Sequence, residues 1–136
     1  MIELSNSTEV TIPVGGAVTF DRVLARSCNA CECFNKQIPN RVKLRSRGTY
    51  NIQFSGNVTA DPAAAVQLSI AVGGFSLPQT AMDATPAAAG TLVNVSGGTY
   101  LRSCCCDMDS VSVINSGTAP ITLAANSSFR IAQLRG

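Results

Sequence analysis

The chain has no histidine and no tryptophan, and only 13% of its 136 residues are charged. About a quarter is usual for a globular protein. Without histidine, no side chain of near-neutral pKa stands ready to activate a serine or cysteine nucleophile, and no mixed Cys/His zinc site can form. Two tyrosines and five phenylalanines leave few rings for a sugar-stacking platform. There is no glycine loop of the phosphate-cradling kind. No apolar run approaches the roughly 18 residues of a membrane helix. A net charge of +2 exerts little long-range pull on nucleic acid. The opening Met1-Ile2-Glu3-Leu4-Ser5-Asn6 lacks the basic and apolar regions of a secretory signal. The expectation is a chain made in a cytosol without a signal peptide, with no nucleic-acid or membrane partner and no cofactor. The Asn-x-Ser/Thr matches at Asn6, Asn57, Asn94 and Asn126 then read as ordinary turn and strand polar residues.

What is present is two-residue periodicity. Tyr50, Ile52 and Phe54 share one face of a strand, as do Val66, Leu68, Ile70 and Val72. Val111 and Val113, Ile121 and Leu123, and Phe129 and Ile131 continue the alternation. Shorter strands are expected over 9–13 and 17–20. Gly73-Gly74 marks a hairpin, Gly97-Gly98 a second turn, and Asn115-Ser116-Gly117 with Pro120 a third. Residues 25–40 read as an irregular loop. About nine short strands separated by turns every 8–12 residues give an all-β antiparallel sandwich of the jelly-roll kind, in a single globular domain.

Few residues carry chemistry. Six cysteines fall in two groups, Cys28, Cys31 and Cys33, and Cys104, Cys105 and Cys106. They suit buried apolar thiols, disulfides within or between chains, or thiolate ligands of zinc; a redox thiol lacks its activating base. Asp107 and Asp109 flank Met108 and would share a strand face, though acids beside a turn are more often turn formers. Arg41, Lys43, Arg45 and Arg47 project from one side of an extended segment. They fit a solvated, edge-protecting strand, or a docking surface for an acidic protein or for phosphate. No catalytic, cofactor-binding or metal-ligating residue is assigned, and an enzyme is the least expected class.

The run Gly48-Thr49-Tyr50-Asn51-Ile52-Gln53-Phe54 resembles a strand of tumour-necrosis-factor-like and complement globular-head jelly rolls. The elements that follow resemble small phage and prophage structural proteins with that fold. They are Leu77-Pro78-Gln79-Thr80-Ala81-Met82, Thr85-Pro86-Ala87-Ala88 and Asn94-Val95-Ser96, then Cys105-Cys106 through Ser112-Val113, Asn115 and Pro120-Ile121, and last Ser128-Phe129-Arg130-Ile131. The resemblance covers residues 40–136 and rests on the order of these short pieces. It implies a homotrimer packed through apolar strand faces such as Tyr50/Ile52/Phe54 or Val66/Leu68/Ile70. It also implies a place on the virion of a tailed phage, as a capsid decoration or head-fibre protein. The partners would be its own copies, a major capsid or other virion protein, or a host surface. Residues 1–24 would form an attachment arm and residues 25–136 the jelly roll. A receptor-binding or adhesin module and a small metal-stabilised domain are the alternatives.

Overall fold

The computed structural model describes residues 1–26, 32–35, 37–44, 48–60, 65–88, 90–103 and 109–134. The chain forms thirteen strands among these residues: β1 (Ile2–Ser5), β2 (Val10–Ile12), β3 (Arg22–Arg26), β4 (Glu32–Asn35), β5 (Ile38–Leu44), β6 (Gly48–Thr59), β7 (Val66–Val72), β8 (Phe75–Ser76), β9 (Met82–Ala84), β10 (Val93–Ser103), β11 (Asp109–Asn115), β12 (Ile121–Leu123) and β13 (Ser128–Gln133). The one helical element among the described residues is a 3-10 turn over Pro78–Thr80.

The strands build two antiparallel sheets. In the seven-stranded sheet, the twelve-residue β6 is the spine. One of its edges pairs with β10 along nearly its full length. The other takes β13 and then β12 in succession. β1 follows β13 and carries β3, while β2 follows β12. The six-stranded sheet runs β4-β5-β11-β7, with β8 and β9 both on β7.

Alternation decides what lies between the sheets. On β6, Tyr50, Ile52, Phe54 and Val58 point inward and are buried, whereas Gln53, Ser55 and Asn57 are exposed. Val66, Leu68 and Ile70 of β7, Val111 and Val113 of β11, and Val42 and Leu44 of β5 meet them from the other sheet. Phe20 stacks on Phe129 with ring centroids 5.3 Å apart, and Phe54 meets Phe129 edge-on at 6.4 Å. Fully burying a side chain of this size is worth about 1.5–3 kcal/mol, so this single layer carries most of the drive to fold. β1 lies inside its sheet, with Ile2 and Leu4 in the same core.

Buried polar side chains are tied down where the strands end. Asn6 donates to the carbonyls of Thr8 (2.9 Å) and Ala124 (3.0 Å) and accepts from the backbone N–H of Ser127 (3.1 Å) and from its hydroxyl. Asn115, at the end of β11, donates to Ile12 (3.1 Å) and Ala119 (2.9 Å) and accepts from Gly117 N–H (3.0 Å). One amide therefore joins the six-stranded sheet to β2 of the other.

Several sequence expectations change. Residues 17–20 make only an isolated bridge, Ala17 to Ile114, because their N–H groups bond singly to other elements: Val18 to Val113 and Phe20 to Pro39. The expected loop at 25–40 holds the end of β3, all of β4 and the start of β5. The basic segment is not an edge, since β5 lies between β4 and β11. Gly73-Gly74 does form the expected hairpin turn, with φ of 61° and 87°, the positive values that a two-residue type I′ turn requires. Gly97-Gly98 is not a turn but the middle of β10. A Cβ on Gly98 would sit 2.6 Å from the carbonyl oxygen of Ile52, so glycine there lets β10 approach β6.

Candidate interaction surface

Both apolar faces named for self-association are already used. Tyr50, Ile52 and Phe54, and Val66, Leu68 and Ile70, are at most 2% exposed and face each other across the sandwich. In a two-layer fold each sheet must spend its apolar face on the other. Any contact between copies has to use the outward sides.

On the seven-stranded sheet that outward side is open and almost uncharged. Cross-strand partners share a face, so the register lists it directly. Asn94, Ser96, Gly98 and Tyr100 of β10 stand opposite Asn57, Ser55, Gln53 and Asn51 of β6. Ser128, Arg130 and Ala132 of β13 stand opposite Ser55, Gln53 and Asn51. Asn94 donates across the strands to the Asn57 side-chain oxygen at 3.2 Å. Glu3 of β1 lies opposite Arg130 and meets it at 3.7 Å, while the Ser128 hydroxyl donates to the same carboxylate oxygen at 2.6 Å. Arg102 stands at the rim, opposite Thr49. A cleft of about 390 Å³ lies over Gly97 and Gly98, walled by Gln53, Ser55, Ser96, Ser128 and Arg130.

This face has an apolar end. Tyr100, Asn51 and Ala132 form one row across three strands, and Tyr100 is 68% exposed. Met1 precedes the Ile2–Ile131 pair and so continues toward that row; Leu134 bonds back to Thr49 at the same end. Both are exposed. Tyrosine and methionine with few charges are what the centre of a protein interface favours. Sequence reasoning missed the row because Tyr100, Ala132 and Met1 are far apart along the chain and none belongs to an apolar run.

The remaining candidates are scattered. Arg41 and Lys43 lie on the outward side of β5. Arg45 and Arg47, Cys28 and Cys31, Cys104, Cys105 and Cys106, and Asp107 lie outside the described residues. Cys33 is in β4 opposite Lys43, and Asp109 opens β11 opposite Leu44. Among the described residues no group of three or more acidic, Cys or His residues could hold a metal ion. No helix among them is long and apolar enough to cross a membrane. Asp21 accepts from the Ser7 hydroxyl and, at 2.8 Å, from its backbone N–H, and these bonds hold its carboxyl below the usual aspartate range.

No protein-family model matches the chain, and no curated protein matches it in sequence. Solved structures do match in fold. The globular domain of zebrafish complement 1qA protein superposes with a TM-score of 0.68 at 14% identity, over 98% of this chain and 96% of that one. Eiger TNF from S. frugiperda gives a TM-score of 0.75 at 8% identity, over 98% and 91%. The chain is thus an all-β, antiparallel jelly roll of the tumour-necrosis-factor and complement globular-head kind.

Proposed function

We propose that the chain is a non-enzymatic, self-associating structural module, and that three copies assemble through the outward face of the seven-stranded sheet. One observation carries this reading. That face is broad, exposed and charge-poor, with Tyr100, Met1 and Leu134 gathered at one end. Asn, Ser and Gln side chains cost little to bury against one another if they pair, and the Glu3–Arg130 ion pair on the face is already made internally. A stable interface buries roughly 800 Å² per partner, which a face spanning four to five strands can supply. Native mass spectrometry at micromolar concentration tests the assembly. A mass of three chains is expected; a monomer ends the proposal.

The finer placement is on the virion of a tailed phage, as a capsid decoration or head-fibre protein. It is supported by the ordered short elements between residues 40 and 136. An attachment role for residues 1–24 would fall to their exposed part, since β1 is held inside the sheet; β3, which begins at Arg22, is the last strand on its side among the described residues, and another chain's strand could extend it. Peptide mass mapping of purified particles tests the placement: the chain should copurify with the major capsid protein in fixed ratio. If it does not, the reading as a receptor-binding or adhesin module takes its place.

A further inference from the structure

We propose that the six-stranded sheet carries, on the side turned away from the core, a binding groove for an anionic sugar, with the acidic group seated on Arg41. The groove has a volume of about 660 Å³, within the range of small-ligand sites. Its floor is the outward side of β5 and β11, where Lys43 pairs with Ser110 and Val42 with Val111, so Arg41 and Ser112 emerge side by side one step further on. Its walls are two glycine turns. Gly73 and Gly74 close one side, held by the bond from Gly73 N–H to the Ser110 carbonyl at 2.8 Å. Gly15 and Gly16 close the other, held by reciprocal bonds with Asn115 at 2.9 Å. Walls without side chains leave the floor reachable.

The chemistry of the floor selects the ligand. The Nε of Arg41 is buried, and nothing among the described residues accepts its proton. Arg41 as a whole is only half-buried and lines the groove, so the rest of its guanidinium is what a ligand meets, and a guanidinium matches sulfate, phosphate or carboxylate through two parallel bonds. No acidic residue is among the described lining residues, so nothing there neutralises the cation, and Lys43 adds a second positive charge on the same side. Asn40, Ser110 and Ser112 supply amide and hydroxyl partners of the kind sugar hydroxyls use. No aromatic ring is among the described lining residues, so a nucleobase would find nothing there to stack on. The same shortage of rings that argues against a stacking lectin leaves recognition by ion pair and hydroxyl. The groove and the proposed assembly face lie on opposite sides of the sandwich, so each can be occupied without the other.

Calorimetric titration with a heparin-derived hexasaccharide, a hexagalacturonate, maltohexaose and ATP tests the site. At least one acidic hexasaccharide should bind, maltohexaose should not, and ATP, whose base has no ring to stack on, should bind more weakly than the acidic sugar. Arg41→Met should weaken that binding about tenfold or more, while Arg22→Gln, an exposed arginine of the other sheet, should leave it within about twofold. Amide shift mapping on the unaltered protein gives a readout independent of any variant's folding: Gly73, Gly74, Ser110 and Ser112 should move. Equal binding of maltohexaose or ATP, equal losses in the two variants, shifts centred on Gly97 and Gly98, or no binding of either acidic sugar would each overturn the proposal.

Discussion

The two sheets turn equally apolar faces to each other and treat their outward faces in opposite ways. On the six-stranded sheet the chain covers much of that side itself. Ser69, Ala71 and Ser112 point outward yet are buried, and the Ser69 hydroxyl meets Ser116 at 2.7 Å, which donates in turn to the Gln67 side chain. The segment at 13–18 runs beside β11 in the plane of the same sheet, beyond the end of β5, and bonds to it through Gly15, Gly16 and Val18. What stays open there is a recess. On the seven-stranded sheet the described residues provide no such cover over β6 and β10, where Gln53, Ser55, Asn57, Ser96 and Tyr100 are exposed. The difference teaches how one fold provides two kinds of surface: a broad face suited to another copy of the chain, and a narrow recess suited to a small charged group.

The strongest way to break this comparison is to attack the side both sheets share. Phe129→Ala removes the ring that touches both Phe20 and Phe54, and should cost about 3–5 kcal/mol in urea denaturation. A loss near zero would mean that the inner layer is not the common core. Asn115→Ala comes next. It leaves the Ile12 and Ala119 carbonyls and the Gly117 N–H without their side-chain partner, and should cost about 1–3 kcal/mol by the same assay.

Substitutions on the outward face should separate assembly from folding. Tyr100→Glu puts a charge on the most exposed member of the row, and the native mass should fall to that of one chain while the circular dichroism spectrum is unchanged. Loss of the fold along with the mass would show that Tyr100 serves the protomer itself. The smallest effect concerns the exposed Asp21. Its folded pKa is lowered, chiefly by the Ser7 hydroxyl and then by the Ser7 N–H. The contribution to stability is therefore present above the ordinary aspartate range and is lost as the pH falls through the lowered value. Ser7→Ala should raise the Asp21 pKa in an NMR titration and flatten this acid dependence; an unchanged pKa would exclude the bond as its cause.

The fold was largely legible in the residue pattern, and the surfaces much less so. Alternation at Tyr50, Ile52 and Phe54 identified the spine strand and its buried side, because a period of two admits a single arrangement for a half-buried strand. The Gly73-Gly74 turn was legible for the same local reason. Gly97-Gly98 carried the same dipeptide and meant something else, since only a neighbouring strand can decide whether two glycines bend the chain or admit a close approach. The basic segment read as an edge strand, because nothing in its own residues reports that β4 and β11 flank it.

The chain's alternation and its shortage of charge were enough to determine an all-β sandwich with polar outer sides, since side-chain direction in a strand depends on nothing beyond sequence parity. Which outer side stays open was decided by tertiary structure alone. Tyr100, Asn51 and Ala132 become one row, and Arg41 and Ser112 one floor, only when strands distant in sequence pair in a fixed register, and register is a property of the assembled sheet.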